Sequence, residues 1–240
     1  MIVQYIFFIL LIFFTFDLYF FSGYQECIMF SLILILTNFF FKFKSKLNNI
    51  LILIPFLFFI YLLSWVKNEG IIYFFIFTIL ILHHLRCHKI FIVTCSVFLI
   101  LFRYMILNEI SNSDGSLFNL NFENYYNLLN ISKIFSTIIL VFKYLIISFF
   151  KNTVWLFIIA FFILSLFTNK NKFNIFYFIT VLFLFFILSI YLNYYVVNNN
   201  ALNNEWFISV TLSRLMYHIS AFYILYIIYY INLFKKIKFI

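Results

Sequence analysis

The chain alternates long apolar runs with short polar interruptions, and this alternation limits its fold more than any other feature. The runs are 2–21, 26–41, 49–66, 70–85, 90–107, 131–150, 153–168, 174–196 and 207–233. A helix that crosses a bilayer needs about 20 such residues, and fewer where flanking side chains reach the headgroups. Only 10% of the residues are charged, which is too few to cover a water-soluble core. The sequence therefore excludes soluble enzymes and predicts an all-α, polytopic integral membrane helix bundle, with 1–240 as a single transmembrane domain.

Basic side chains predict which ends of the runs face the cytoplasm, because Lys and Arg collect on that side of polytopic proteins. Among the first five runs, two connections are basic and contain no acid, and their cations are Lys42, Lys44, Lys46, Arg86 and Lys89. Placing both connections inside puts the N-terminus inside and the polar loop 108–130 outside. All seven acids of the chain then fall on the outer side.

The segment 131–151 decides the number of spans. If it crossed the membrane, Lys170 and Lys172 would lie outside, against the same rule. Its three lysines, at 133, 143 and 151, suit a helix in the headgroup region better than one at the bilayer centre. We therefore predict about eight transmembrane helices, an outer interfacial amphipathic helix at 131–151 and a cytoplasmic C-terminus.

Three cations, Lys67, Arg103 and Arg214, lie on the predicted outer side of the membrane, where few Lys and Arg residues are expected. Arg214 is about two turns inside the last run, where an arginine costs about 2.5–3.5 kcal/mol on insertion scales and so needs an anionic partner. An ion pair with Glu205 or another outer acid would supply it, and so would a lipid phosphate held by the guanidinium fork. His218 shares its helix face. Lys67 belongs either to a solvated turn or to an anion site, and Arg103 either completes that site or snorkels.

The stretch His83–His88 resembles a metal-binding tract, since His84 and His88 are one helical turn apart with Cys87 beside them. It contains no carboxylate and lies among cations, so a basic helix end explains it better. We predict no metal and no other cofactor. The scattered lysines form no basic face, and we predict no nucleic-acid partner.

Three stretches resemble the GT-C class of polytopic membrane glycosyltransferases, which use polyprenyl-phosphate-linked sugars. They are Gly23-Tyr24-Gln25-Glu26, Lys67-Asn68-Glu69-Gly70 and Ser213-Arg214-Leu215 followed by His218. The ordered set, with Trp155 entering a span after the interfacial helix, covers about residues 20–232.

The resemblance implies a protein of the bacterial inner membrane whose outer face receives a polyprenyl-phosphate sugar donor. Its phosphate-binding residues would be Lys67, Arg103, Arg214 and His218. The base that deprotonates the acceptor hydroxyl would be Glu26 or, as second choice, Glu69. No large acidic loop precedes Gly23, unlike in that class. This chain therefore corresponds to the later part of a longer enzyme, has lost the catalytic acid, or uses Asp17 or Glu26 in its place.

A second class of function also fits the composition. A non-catalytic hydrophobic subunit of an organellar respiratory complex, or a small transporter, needs apolar bulk and lipid-facing aromatic side chains, and this chain has 41 Phe. Charges near the middle of several spans would favour ion conduction. Here the charges within the runs gather at the outer ends instead, which favours the transferase-like interpretation.

Overall fold

The computed structural model describes residues 25–67, 69–114, 131–151, 153–168, 177, 180 and 204–237. These residues contain helices and no strand, which confirms the predicted all-α class for this part of the chain. The helices are α1 Gln25–Phe43, α2 Ile50–Val66, α3 Gly70–His84, α4 Lys89–Asp114, α5 Ile131–Lys151, α6 Thr153–Thr168 and α7 Asn204–Ile237, and a 3-10 turn, Lys44–Lys46, follows α1. The predicted span 2–21 and Asp17 lie outside the described residues. Of the predicted span 174–196, only residues 177 and 180 are described.

The described helices are those of a membrane protein. Three are long and apolar enough to cross a bilayer: Gln25–Lys46, Lys89–Leu107 and Ile208–Ile228. A fourth candidate is the pair Ile138–Phe150 and Val154–Ala160, whose axes are bent by 88°. Helices α2 and α3 are also apolar but have only 17 and 15 residues.

The predicted outer loop 108–130 begins as helix. Helix α4 continues through the polar residues after Leu107 and ends only at Asp114. None of these residues is a Gly or Pro, so no helix-breaking residue stops the helix before Asp114. Residues 115–130 are not among the described ones.

Helix α7 is the centre of the bundle, since nearly all side chains from Leu212 to Ile228 are buried. Its most extensive contact is with α1, where the rings of Phe30 and Tyr217 stack with centroids 4.6 Å apart. Trp155 of α6 is also buried and packs edge-on against Tyr223, 5.7 Å between centroids. Aromatic packing of this kind holds helices together where lipid removes the hydrophobic driving force.

The turn between α2 and α3 brings the backbones of these two helices into close contact. Helix α2 ends at Val66, and the backbone N–H of Gly70 donates to the carbonyl of Lys67 at 3.0 Å. A Cβ atom built on Gly70 would lie 1.8 Å from the carbonyl oxygen of Leu63. Only glycine permits this approach, which fixes the position of Lys67 beside the start of α3.

At the other end of α2 and α3, the side-chain amide of Asn48 links two connections between helices through hydrogen bonds. Asn48, just before α2, accepts hydrogen bonds from the backbone N–H groups of Arg86 (3.0 Å) and Cys87 (3.4 Å). The connection from α1 to α2 and that from α3 to α4 therefore lie at one end of the bundle. We call it the lysine end, after Lys42, Lys44, Lys46, Arg86 and Lys89.

Candidate anion-binding site

The other end of the bundle holds a cluster of three charged residues from three distant parts of the chain. Glu26 lies in the first turn of α1, Lys67 follows α2, and Arg214 lies in α7. The Oε1 atom of Glu26 contacts both the Nζ of Lys67 and a terminal guanidinium nitrogen of Arg214. We call these three residues the ion-pair cluster, and the end of the bundle that carries them the ion-pair end.

Burial and charge are distributed unequally within the cluster. The carboxylate of Glu26 is fully buried, whereas the side chains of Lys67 and Arg214 are 14% and 32% exposed. Two cations share one carboxylate, so the cluster keeps a formal charge of +1. The accessible part of the cluster is therefore its positive part.

The local structure explains why a carboxylate is stable at this position. An acid in the first turn of a helix interacts favourably with the partial positive charge of the helix N-terminus, and Glu26 is in the first turn of α1. A buried carboxylate also requires cationic partners, because an unpaired charge in an apolar environment is expensive. Lys67 is brought to it by the turn at Gly70, and Arg214 by the tight packing of α7 on α1.

Several buried polar atoms continue inward from the cluster. His218 is one turn beyond Arg214 on α7, is 1% exposed, and lies with its ring centroid 6.1 Å from that of Tyr73 on α3. Neither ring nitrogen of His218, nor the Tyr73 hydroxyl, nor the second oxygen of Glu26 has a hydrogen-bond partner among the described residues.

Arg103 and Glu69 have different surroundings from those of the cluster. Arg103 is 7% exposed, and its Nε donates to the carbonyl oxygen of Ser64 at 2.7 Å. It thus ties α4 to the last turn of α2. Glu69 is half-buried at the start of α3, and no ion pair involves it within the described part of the chain.

The structure gives Arg214 a different partner from the acid named first in the sequence interpretation. Glu205 accepts a hydrogen bond from the Tyr144 hydroxyl at 3.2 Å, while Arg214 pairs with Glu26. Sequence reasoning treated Glu26 as a base, and it allowed an outer acid other than Glu205 as the partner of Arg214 without singling out Glu26. It also missed Tyr73, although the spacing of four residues between Glu69 and Tyr73 predicts that the two share a helix face.

The histidine tract lies at the lysine end and shows no metal-ligand arrangement. The rings of His83 and His84 contact each other edge to face at 5.2 Å, and the Nδ1 of His84 lies 3.1 Å from the carbonyl oxygen of Leu80. Across the described residues, no group of three or more His, Cys, Asp or Glu side chains could hold a metal ion.

Comparison of the chain with protein-family models, curated protein sequences and solved structures gives no significant match.

Proposed function

We propose that the ion-pair end binds a lipid-linked phosphate, as the donor site of a glycosyltransferase-like membrane protein that uses a polyprenyl-phosphate sugar. One observation carries this proposal: a buried carboxylate holds two partly exposed cations side by side and leaves them a net positive charge. A phosphate can accept hydrogen bonds from the ammonium group of Lys67 and from the guanidinium fork of Arg214. Its alkyl chain would remain in the bilayer.

The orientation of the protein is part of the same proposal. With both termini cytoplasmic and about eight spans, the ion-pair end faces the outer side, where a polyprenyl-phosphate donor would meet it in a bacterial inner membrane. The 88° bend between Ile138–Phe150 and Val154–Ala160 supports an interfacial α5 that precedes a crossing α6. A re-entrant pair would have the same bend.

In the proposed transfer, an acceptor hydroxyl oxygen attacks the anomeric carbon of the sugar. The hydroxyl proton passes to a carboxylate, the bond from the anomeric carbon to the phosphate oxygen breaks, and the phosphate leaves with that electron pair. Lys67 and Arg214 stabilise the charge on the leaving phosphate. Glu26 already neutralises part of two positive charges, which makes it a poor proton acceptor and favours a role in positioning the cations. Glu69 is then the better candidate for the base.

Binding of polyprenyl phosphate and of uncharged polyprenol to the protein in lipid nanodiscs tests the proposal. We expect the wild type to prefer the phosphate, and Arg214→Gln to weaken phosphate binding by about tenfold to a hundredfold, the effect of losing a charged hydrogen bond. Arg214→Lys keeps the positive charge but lacks the planar guanidinium fork. Its affinity for polyprenyl phosphate should therefore lie between those of the wild type and Arg214→Gln.

The matched control is Lys89→Gln, which removes an exposed cation at the lysine end. It should leave the preference unchanged. Equal binding of phosphate and polyprenol, or an equal loss in Lys89→Gln, would contradict the proposal. A hydrophobic subunit of a respiratory complex or a small transporter would then be the better interpretation.

A further inference from the structure

The polar atoms that continue inward from the ion-pair cluster form a group of their own. They are Glu26 Oε2, Arg214 Nε, both ring nitrogens of His218 and the Tyr73 hydroxyl oxygen, all buried and all without a hydrogen-bond partner among the described residues. Each such atom costs about 1–3 kcal/mol, and more where lipid surrounds the protein. Because several occur together on α1, α3 and α7, they indicate a site that binds a polar group.

His218 lies between the ion-pair cluster and Tyr73. Arg214 precedes it by one helical turn, and the charges of Glu26, Lys67 and Arg214 act on it electrostatically. On the other side, its ring meets that of Tyr73 at an interplanar angle of 77°. The ring centroids are 6.1 Å apart, but neither the Tyr73 hydroxyl nor a His218 ring nitrogen has a hydrogen-bond partner among the described residues, so both groups are available to a third group.

The available donors and acceptors define the chemistry of that group. His218 is almost completely buried and lies near two cations, and both conditions disfavour a positive charge on its ring, so His218 acts as a neutral imidazole with one N–H donor and one acceptor nitrogen. The Tyr73 hydroxyl donates and accepts, and Glu26 Oε2 only accepts. A phosphate accepts without donating and would be repelled by the carboxylate. A neutral hydroxyl group both donates and accepts, and it matches this set.

We infer that His218, Tyr73 and Glu26 Oε2 form a buried site for a neutral hydroxyl group, supplied either by water or by a sugar. His218 then differs from Lys67 and Arg214, with which the sequence interpretation grouped it as a phosphate ligand. The sugar as the source rests on the proposed function, because it would be the acceptor beside the lipid phosphate. Water as the source does not depend on that function.

Solid-state NMR of the full chain in phospholipid bilayers tests the site without donor lipid, so its outcome is independent of the proposed phosphate binding. Tyr217-His218 is the only Tyr-His pair in the sequence, so labelling Tyr carbonyls with ¹³C and His with both ¹³C and ¹⁵N selects the backbone nitrogen of His218, from which magnetisation is passed along the side chain to the ring. The measurement is the rate at which magnetisation passes from mobile water protons to its ring nitrogens. We expect this rate to be within about threefold of that for the exposed His88, as for a side chain in contact with bound water.

Addition of methyl β-glucoside distinguishes the two sources. A new contact between sugar protons and the His218 ring identifies a sugar hydroxyl as a ligand, and an unchanged water contact identifies water; either result supports a hydroxyl site. Water transfer as slow as that to the apolar core, with no sugar contact, would overturn the inference.

Tyr73→Phe removes one hydroxyl from the site and should slow water transfer to His218. The control is Tyr61→Phe, the same change at a buried tyrosine of α2 that packs against Trp65 and Phe74. Equal effects of the two variants would show that Tyr73 does not belong to the site.

Discussion

The ion-pair end and the lysine end differ in whether their charged side chains are buried and paired. At the lysine end, the cations Lys42, Lys46, Arg86 and Lys89 are exposed and need no partner from the protein. At the ion-pair end, a fully buried carboxylate is held by cations from two other parts of the chain. Exposed cations cost the fold little, whereas the buried cluster costs desolvation energy and requires three helices to meet. The comparison indicates that the charges of the ion-pair end depend on tertiary packing, whereas those of the lysine end do not.

Removal of the shared carboxylate should give the largest effect. Glu26→Gln leaves Lys67 and Arg214 next to each other without a counter-charge, and we expect the free energy of unfolding to fall by about 3–5 kcal/mol. Denaturation in detergent micelles, followed by circular dichroism, measures it.

The corresponding change at the other end is Lys89→Gln, which should alter the free energy of unfolding by less than about 0.5 kcal/mol. If Glu26→Gln were equally harmless, the contrast between the two ends would disappear.

The turn that carries Lys67 should be the next most sensitive point. Gly70→Ala places a methyl group against the Leu63 carbonyl, and we expect a loss of about 1–3 kcal/mol in the free energy of unfolding because α2 and α3 must separate. Binding of polyprenyl phosphate should weaken as well, since Lys67 moves away from Glu26.

Cys87→Ala at the lysine end is the comparison for the Gly70 variant, because Cys87 is exposed in the turn between α3 and α4. It should change neither stability nor binding. A Gly70→Ala protein with wild-type stability and binding would show that the close crossing does not position Lys67.

A smaller effect is expected for the amide that joins the two connections at the lysine end. Asn48→Ala removes the acceptor of two backbone N–H groups and should cost about 0.5–1.5 kcal/mol in the free energy of unfolding. Asn48→Asp keeps an acceptor oxygen and should recover most of this loss. Neither variant should change lipid-phosphate binding, and a loss of binding in both would mean that the two ends are not independent.

The sequence predicted those features that depend on local pattern. Apolar runs gave the helical membrane class, and the acid-free connections pointed to Arg86 and Lys89 as companions of the lysines after α1. The extension of α4 to Asp114 was missed because polarity was taken as the end of the helix, although the first glycine after α4 begins is Gly115.

The ion-pair cluster itself could not be predicted in the same way. Lys67 and Arg214 were recognised as cations in need of an anion, but their common partner depends on how α1 and α7 pack, and no spacing along the chain encodes that contact. The same holds for Tyr73 and His218, which lie on different helices.

The proposal that Arg214 binds a lipid phosphate can be tested by measuring which arginine lies near the phosphorus atom. The chain has three arginines: Arg86 at the lysine end, Arg103 on α4 and Arg214 in the cluster. Each follows a different residue type, so residue-selective isotope labelling distinguishes their signals. Rotational-echo dephasing between ¹⁵N-labelled guanidinium groups and the ³¹P of polyprenyl phosphate reports the distance directly. We predict a nitrogen-to-phosphorus distance of about 4 Å for Arg214, as in a charge-assisted hydrogen bond, and no dephasing for Arg86. Dephasing of Arg86 alone, or of none of the three, would contradict the assignment of the ion-pair end as the phosphate site.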